Sequence, residues 1–169
     1  VSDLEKIEKR LEKIAQERHL PSSDYHDVMK ALKADQVAPD AILPLYKERL
    51  KQIEGIVKEH NLVTLPEGQT VIRLATQSEA ARVPGPQMLP PPLVHNSGQR
   101  GQFVIPLLSV DGQRFDDFTF DAIAWTVTAH EARPGHELQF DSMVDKGVSQ
   151  ACAVFAANSA NVEGWGLYC

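Results

Sequence analysis

The chain has 169 residues, 43% of them hydrophobic, with a formal net charge of −6. This is enough length and apolar content for one globular domain or part of a larger one, and too apolar for a disordered segment. The acidic balance and scattered basic residues exclude a nucleic-acid stripe or an anionic membrane as expected partners, and no apolar run approaches a membrane span.

No signal peptide is visible, but the sequence begins at Val1 rather than Met, so localisation stays open and an internal fragment is expected. The two cysteines, Cys152 and Cys169, form neither a disulfide framework nor a C-x-x-C site.

In chain order, the first sixty or so residues read as helical. Leu4, Ile7, Leu11 and Ile14 recur at helical spacing, with Ser2 or Asp3 as a cap and Pro21 as the stop. A shorter helix is expected after Ser23, to about Lys33. A third has Leu43, Tyr46, Leu50, Ile53 and Val57 on one face, Asp40 as its cap, and Pro44 near its start, where a missing N–H costs little. Residues 1–62 are therefore assigned to a helical hairpin or bundle.

The pattern changes in 63–169. Edge strands are predicted at about 69–75 and 101–107, the second because Pro106 cannot donate to a ladder. Between them, Thr76 and Glu79 have capping-box spacing. "VPGPQMLPPPLVHNSG", with five prolines and two glycines, reads as a stiff connector. "DG" at 111–112 marks a turn. Residues from about 120 to 169 read as helices broken at Pro134–Gly135, near Gly147, and near Asn158–Ser159. The expected fold class is mainly α with a small β-sheet.

Residues 130–136, "HEARPGH", carry the chemistry. A zinc hydrolase uses neutral imidazoles and often a carboxylate as ligands, leaves a position for water, and sets a general base beside that water. In H-E-x-x-H the two histidines share one helix face. Here the second histidine follows at six residues, and on a regular helix the side chains would diverge by about 120°. Pro134 forbids the normal helical hydrogen bond and Gly135 accepts unusual backbone angles, so a local bulge can return His136 to the face of His130. A chance H-E-x-x-x-x-H arises on the order of once in a few hundred such chains. The alternative is a hydrogen-bonded histidine pair in a kinked helix.

A third ligand is expected on a following element. Glu163, on a helix capped by Ser159, is the first candidate, and Asp141 and Asp145 compete with it. Gly164 and Gly166 weaken that helix by roughly 1 kcal/mol each relative to alanine, a cost that close approach of helices around a metal would explain. Glu137 should point elsewhere.

"HEARPGHELQF" followed by "NVEGWGLY" resembles the bacterial family called domain of unknown function 885, whose members carry H-E-A-x-P-G-H-x-L-Q and a later E-G-W-A-L-Y. That family is grouped with gluzincin-type metallopeptidases, and the separated histidines also resemble the dipeptidyl peptidase III group. The resemblance implies a zincin-like metal-binding domain with His130, His136 and Glu163 as zinc ligands and Glu131 as general base. It departs at Arg133, where an apolar residue is usual, at Glu137, where histidine is frequent, and at Gly166, where alanine is usual. Family members are several times longer.

The expected function is zinc-dependent hydrolysis of a peptide or small amide, the substrate lying extended along "GQFVIPL". Asn161 and Tyr168 are candidate residues behind the ligands, Tyr168 and His95 are weak candidates for stabilising the transition state, and Trp165 is expected in the core. The rival readings are a metal- or peptide-binding module without turnover and a structural helical domain. Substrate specificity and oligomeric state are not legible.

Overall fold

A computed structural model describes residues 2–20, 22–155 and 158–169. The elements in order are α1 (Ser2–Glu17), α2 (Tyr25–Ala34), α3 (Pro39–Glu59), β1 (Val71–Leu74), α4 (Gln77–Arg82), β2 (Gln87–Leu89), β3 (Gln102–Ile105), α5 (Asp121–Glu131), α6 (His136–Lys146), α7 (Gln150–Phe155) and α8 (Ser159–Tyr168). The chain is mainly helical with one small sheet, as its periodicities predict.

α3 buries Ile42, Tyr46, Leu50, Ile53 and Val57. Ile42 takes the first position on that face, where Leu43 was expected; Leu43 is half-buried and packs at the edge of the core. The helix starts one residue before Asp40, with Ala38 as N-cap and no side-chain cap, because Pro39 supplies a preset φ at the first turn. Asp24 caps α2 in the region predicted from Ser23. The capping box of α4 forms as predicted: Thr76 accepts from the Glu79 N–H, and the Glu79 carboxylate accepts from the Thr76 N–H. The predicted stop at Pro21 lies outside the described residues.

The sheet has the order β1-β3-β2, with β1 parallel and β2 antiparallel to β3. This corrects two expectations. β3 is the central strand, because Pro106 lies just past its end and takes no part in its ladder. The proline-rich connector contains a strand, since Pro86 and Pro90 flank Gln87–Leu89 without interrupting it. β1 and β2 are the two edges, and β2 reaches α5 through a hydrogen bond from the Met88 N–H to Glu131.

One core joins the two halves of the sequence. Ile42, Tyr46 and Leu50 of α3 pack with Ile72 of β1, Phe103 and Ile105 of β3, and Phe118, Ala124 and Ala132. The buried Tyr46 hydroxyl donates to the Phe118 carbonyl at 2.7 Å, which satisfies its one polar atom. α1 contributes little to this core: Leu4 and Ile7 are 61% and 57% exposed, and only Ala15 is buried. No helix among the described residues is long and apolar enough to cross a membrane.

Candidate metal centre

The Pro-Gly segment ends one helix and starts another, where a bulge in a continuous helix was predicted. α5 stops at Glu131 and α6 begins at His136. The ends stay in register because the Ala132 carbonyl accepts from the Glu137 N–H at 3.1 Å across the break. The Arg133–Pro134 peptide bond is cis. Gly135 has no substitute here: a Cβ would lie 1.8 Å from the His130 carbonyl oxygen.

This break sets the two imidazoles edge to face, with ring centroids 4.5 Å apart and an interplanar angle of 82°. Glu163 on α8 completes the cluster. Its Oε2 lies 3.3 Å from His130 Nε2 and 3.6 Å from His136 Nε2, and one ligand atom from each of the three residues falls within 4.8 Å of the others. Gly166, one turn beyond Glu163, makes room for them. A Cβ there would sit 2.7 Å from His130 Cε1 and 2.9 Å from His136 Cε1.

The donor set fits zinc. Four-coordinate zinc with arms near 2.0–2.1 Å separates adjacent ligand atoms by roughly 3.3 Å, close to the two distances here. The tautomer is also suited. His136 Nδ1 and Gln139 Oε1 are both buried without a hydrogen-bond partner among the described residues, while the Gln139 amide nitrogen donates to Asn161 Oδ1 at 3.4 Å. A proton on His136 Nδ1, facing the free Gln139 oxygen, leaves the Nε2 lone pair aimed at the cluster. Burial, followed by the neighbouring His130, holds the His136 pKa below its ordinary value, so this imidazole keeps the neutral form a metal needs.

Glu131, half-buried at the end of α5, is positioned by a backbone group. Its Oε2 accepts from the Met88 N–H at 2.7 Å. Burial raises its pKa, the Met88 N–H and the His130 charge oppose that shift, and the Glu163 carboxylate adds to it. Met88 on β2 was not identified from the sequence, where a backbone donor leaves no signature.

The competing acids are engaged elsewhere. Asp141 is 1% exposed; it accepts from the Gly101 N–H at 3.0 Å and faces Arg100, which pairs with Asp145 at 2.6 Å. Glu137 is fully buried and takes two hydrogen bonds from Arg133, at 2.7 and 3.0 Å. Arg133 also binds Glu54 of α3 and the Gly68 carbonyl. The arginine that departs from the family pattern is thus the partner of the glutamate that also departs from it.

Among the described residues, Asn161 is linked to the cluster through Gln139. Tyr168 is 90% exposed and its hydroxyl forms no hydrogen bond to a described residue, so nothing ties it to the candidate ligands. His95 is exposed in the loop after β2, at φ 54°. Trp165 is 37% exposed, which corrects the expectation of a core residue. Asn158 caps α8 in place of Ser159, accepting from the Asn161 N–H. Gly147, with φ 73°, ends α6 as predicted.

The sequence matches the family described as bacterial protein of unknown function, DUF885, over residues 1–169. The chain belongs to that family. Two solved structures share its fold. A putative lipoprotein of unknown function from Shewanella oneidensis is 20% identical with a TM-score of 0.73, over 99% of this chain and 31% of that one. A putative lipoprotein from Colwellia psychrerythraea is 18% identical with a TM-score of 0.74, over 99% of this chain and 28% of that one. The chain thus spans under a third of either relative's length. No protein of curated function matches it.

Proposed function

We propose that this member of the DUF885 family is the metal-binding part of a zinc-dependent hydrolase, and that the hydrolase is a metallopeptidase. The observation that carries the proposal is the approach of both imidazole Nε2 atoms to one Glu163 oxygen, at 3.3 and 3.6 Å. His130, His136 and Glu163 would hold the ion. When bound, zinc would polarise a carbonyl and lower the pKa of a water toward neutrality.

The remaining work falls to Glu131. Adjacent in sequence to His130 and fixed by the Met88 N–H, its carboxylate would take a proton from the attacking water and return it to the leaving amine. Burial raises its proton affinity, the direction that favours returning the proton. An extended peptide would lie along β2, the sheet edge beside Glu131, since β3, the strand expected from the sequence, is central.

The test uses the whole protein of which this chain is a part. Zinc-dependent cleavage of a peptide mixture, followed by mass spectrometry, is expected, and Glu131→Gln should retain zinc while losing cleavage. Retained cleavage in Glu131→Gln would contradict the general-base role. Zinc binding with no hydrolysis of peptides or small amides would favour a binding module.

A further inference from the structure

The third ligand stands on a weakly held helix. Of α8, only Gly166 is buried, and the Glu163 side chain is 58% exposed. Val162 is half-buried. The Gln139–Asn161 hydrogen bond is long, at 3.4 Å. Something must nonetheless hold Glu163 within reach of two imidazoles whose own positions come from the core.

The Pro-Gly break offers an anchor. Where α5 ends and α6 restarts, the Pro134 carbonyl has no backbone partner among the described residues, and a carbonyl released from a helix seeks a donor. The Trp165 indole supplies one. Its Nε1–H is shared between the Pro134 and Gly135 carbonyls, at 3.0 Å to each. The Cys169 thiol adds a weaker contact to Pro134 at 3.3 Å. Trp165 follows Glu163 by two residues and precedes Gly166, so it crosses to the break beside the position where the missing Cβ lets α8 meet the histidines.

We propose that Trp165 is a positioning residue for the metal centre: its indole N–H latches α8 to the break between the histidines and thereby sets the place of Glu163. The proposal rests on the metal-site reading above. The break then has two functions, to bring His136 beside His130 and to present the carbonyls on which the third ligand's helix docks. Trp165 acts through Glu163 and touches no ligand chemistry of its own.

The test is zinc affinity, measured by competition with a chromophoric chelator, for the wild-type chain, Trp165→Phe, Glu163→Gln and the double variant. Phenylalanine keeps the apolar ring and removes the donor. Trp165→Phe is expected to raise the Kd roughly three- to tenfold, the worth of one hydrogen bond. In the Glu163→Gln background it should change nothing further, because the two residues act as one unit. The cobalt-substituted Trp165→Phe protein should have a visible absorption spectrum shifted toward that of Glu163→Gln.

Equal losses in both backgrounds, or an unchanged Kd and cobalt spectrum, would overturn the latch while leaving the metal site standing. A wild-type chain that binds no zinc would overturn both. If Trp165→Phe does not fold, solvent exchange of the wild-type Trp165 indole proton decides. Zinc should slow it in the wild type and leave it unchanged in Glu163→Gln; equal rates with and without zinc in the wild type would refute the latch.

Discussion

The two sides of the candidate centre are built by different means. His130, Glu131 and His136 stand at facing helix ends rooted in the core, behind which Arg133 and Glu137 form a buried ion pair joined by the half-buried Glu54. Glu163 comes from a helix that lies largely on the surface and touches the rest through a glycine, an indole and an amide. The difference teaches that the histidine pair is set by folding, whereas Glu163, the proposed third ligand, is held by surface contacts. Substitutions on the first side should therefore act on stability, and substitutions on the second on metal affinity alone.

The largest effect should come from Arg133→Met. It would leave Glu137 buried and unpaired, and removing one partner of such a pair costs about 3–5 kcal/mol. Urea denaturation should show that loss with or without zinc. A loss below about 1 kcal/mol, the range of exposed pairs, would mean that the cluster does not support the histidines.

Gly135→Ala comes next. The new methyl would overlap the His130 carbonyl, and relief of such overpacking costs about 1–3 kcal/mol. Because relief must move the break itself, zinc binding should fall with stability. A variant that loses stability yet binds zinc normally would separate the break from the ligand geometry.

Glu163→Gln should do the reverse. Its side chain is mostly exposed, so thermal stability of the metal-free chain should change by no more than the roughly 0.5 kcal/mol usual for a surface substitution, while zinc affinity collapses. A large stability loss without zinc would show that Glu163 is a structural partner of the histidines.

The smallest effect concerns Glu131 and pH in the metal-free chain. Its pKa in the folded state is raised above the ordinary 4.5. Its contribution to stability is thus full below 4.5 and is lost as pH rises through the raised value. Glu131→Gln should match the wild type at acid pH and exceed it slightly above neutrality, as read by denaturation at several pH values. A gap that widens toward acid would reverse the sign and reject burial as the dominant influence.

The side made by folding was also the more legible in the sequence. Helical periodicity located α1 and α3, the position of Ser23 placed α2, the Thr76–Glu79 spacing located α4, and the Pro-Gly pair between two histidines pointed to a distorted helix, which the structure shows as a break. β2 was hidden because prolines flank it, although a three-residue strand needs no donor from either. The reversal of sheet order follows from the same cause: with β2 unseen, β3 looked like an edge.

Glu163 was reached through the residue pattern, but what positions it was not. Trp165 bonds to carbonyls that the break alone turns toward it, that of Pro134 having no backbone donor among the described residues, and Glu131 bonds to a main-chain N–H that any residue at position 88 except proline could supply. Such contacts depend on where the backbone goes, which spacing along the chain does not encode. The Arg133–Glu137 pair was visible only as two departures from a family pattern, without the knowledge that they face each other.

The most direct test of the account is the zinc content of the purified chain after equilibration with excess zinc and gel filtration, alongside His130→Ala, His136→Ala and Glu163→Gln. One zinc per chain in the wild type, lost in both histidine variants and sharply reduced in Glu163→Gln, is the predicted result. A wild-type chain that retains no zinc, or variants that retain it fully, would contradict the assignment of these three residues as a metal centre.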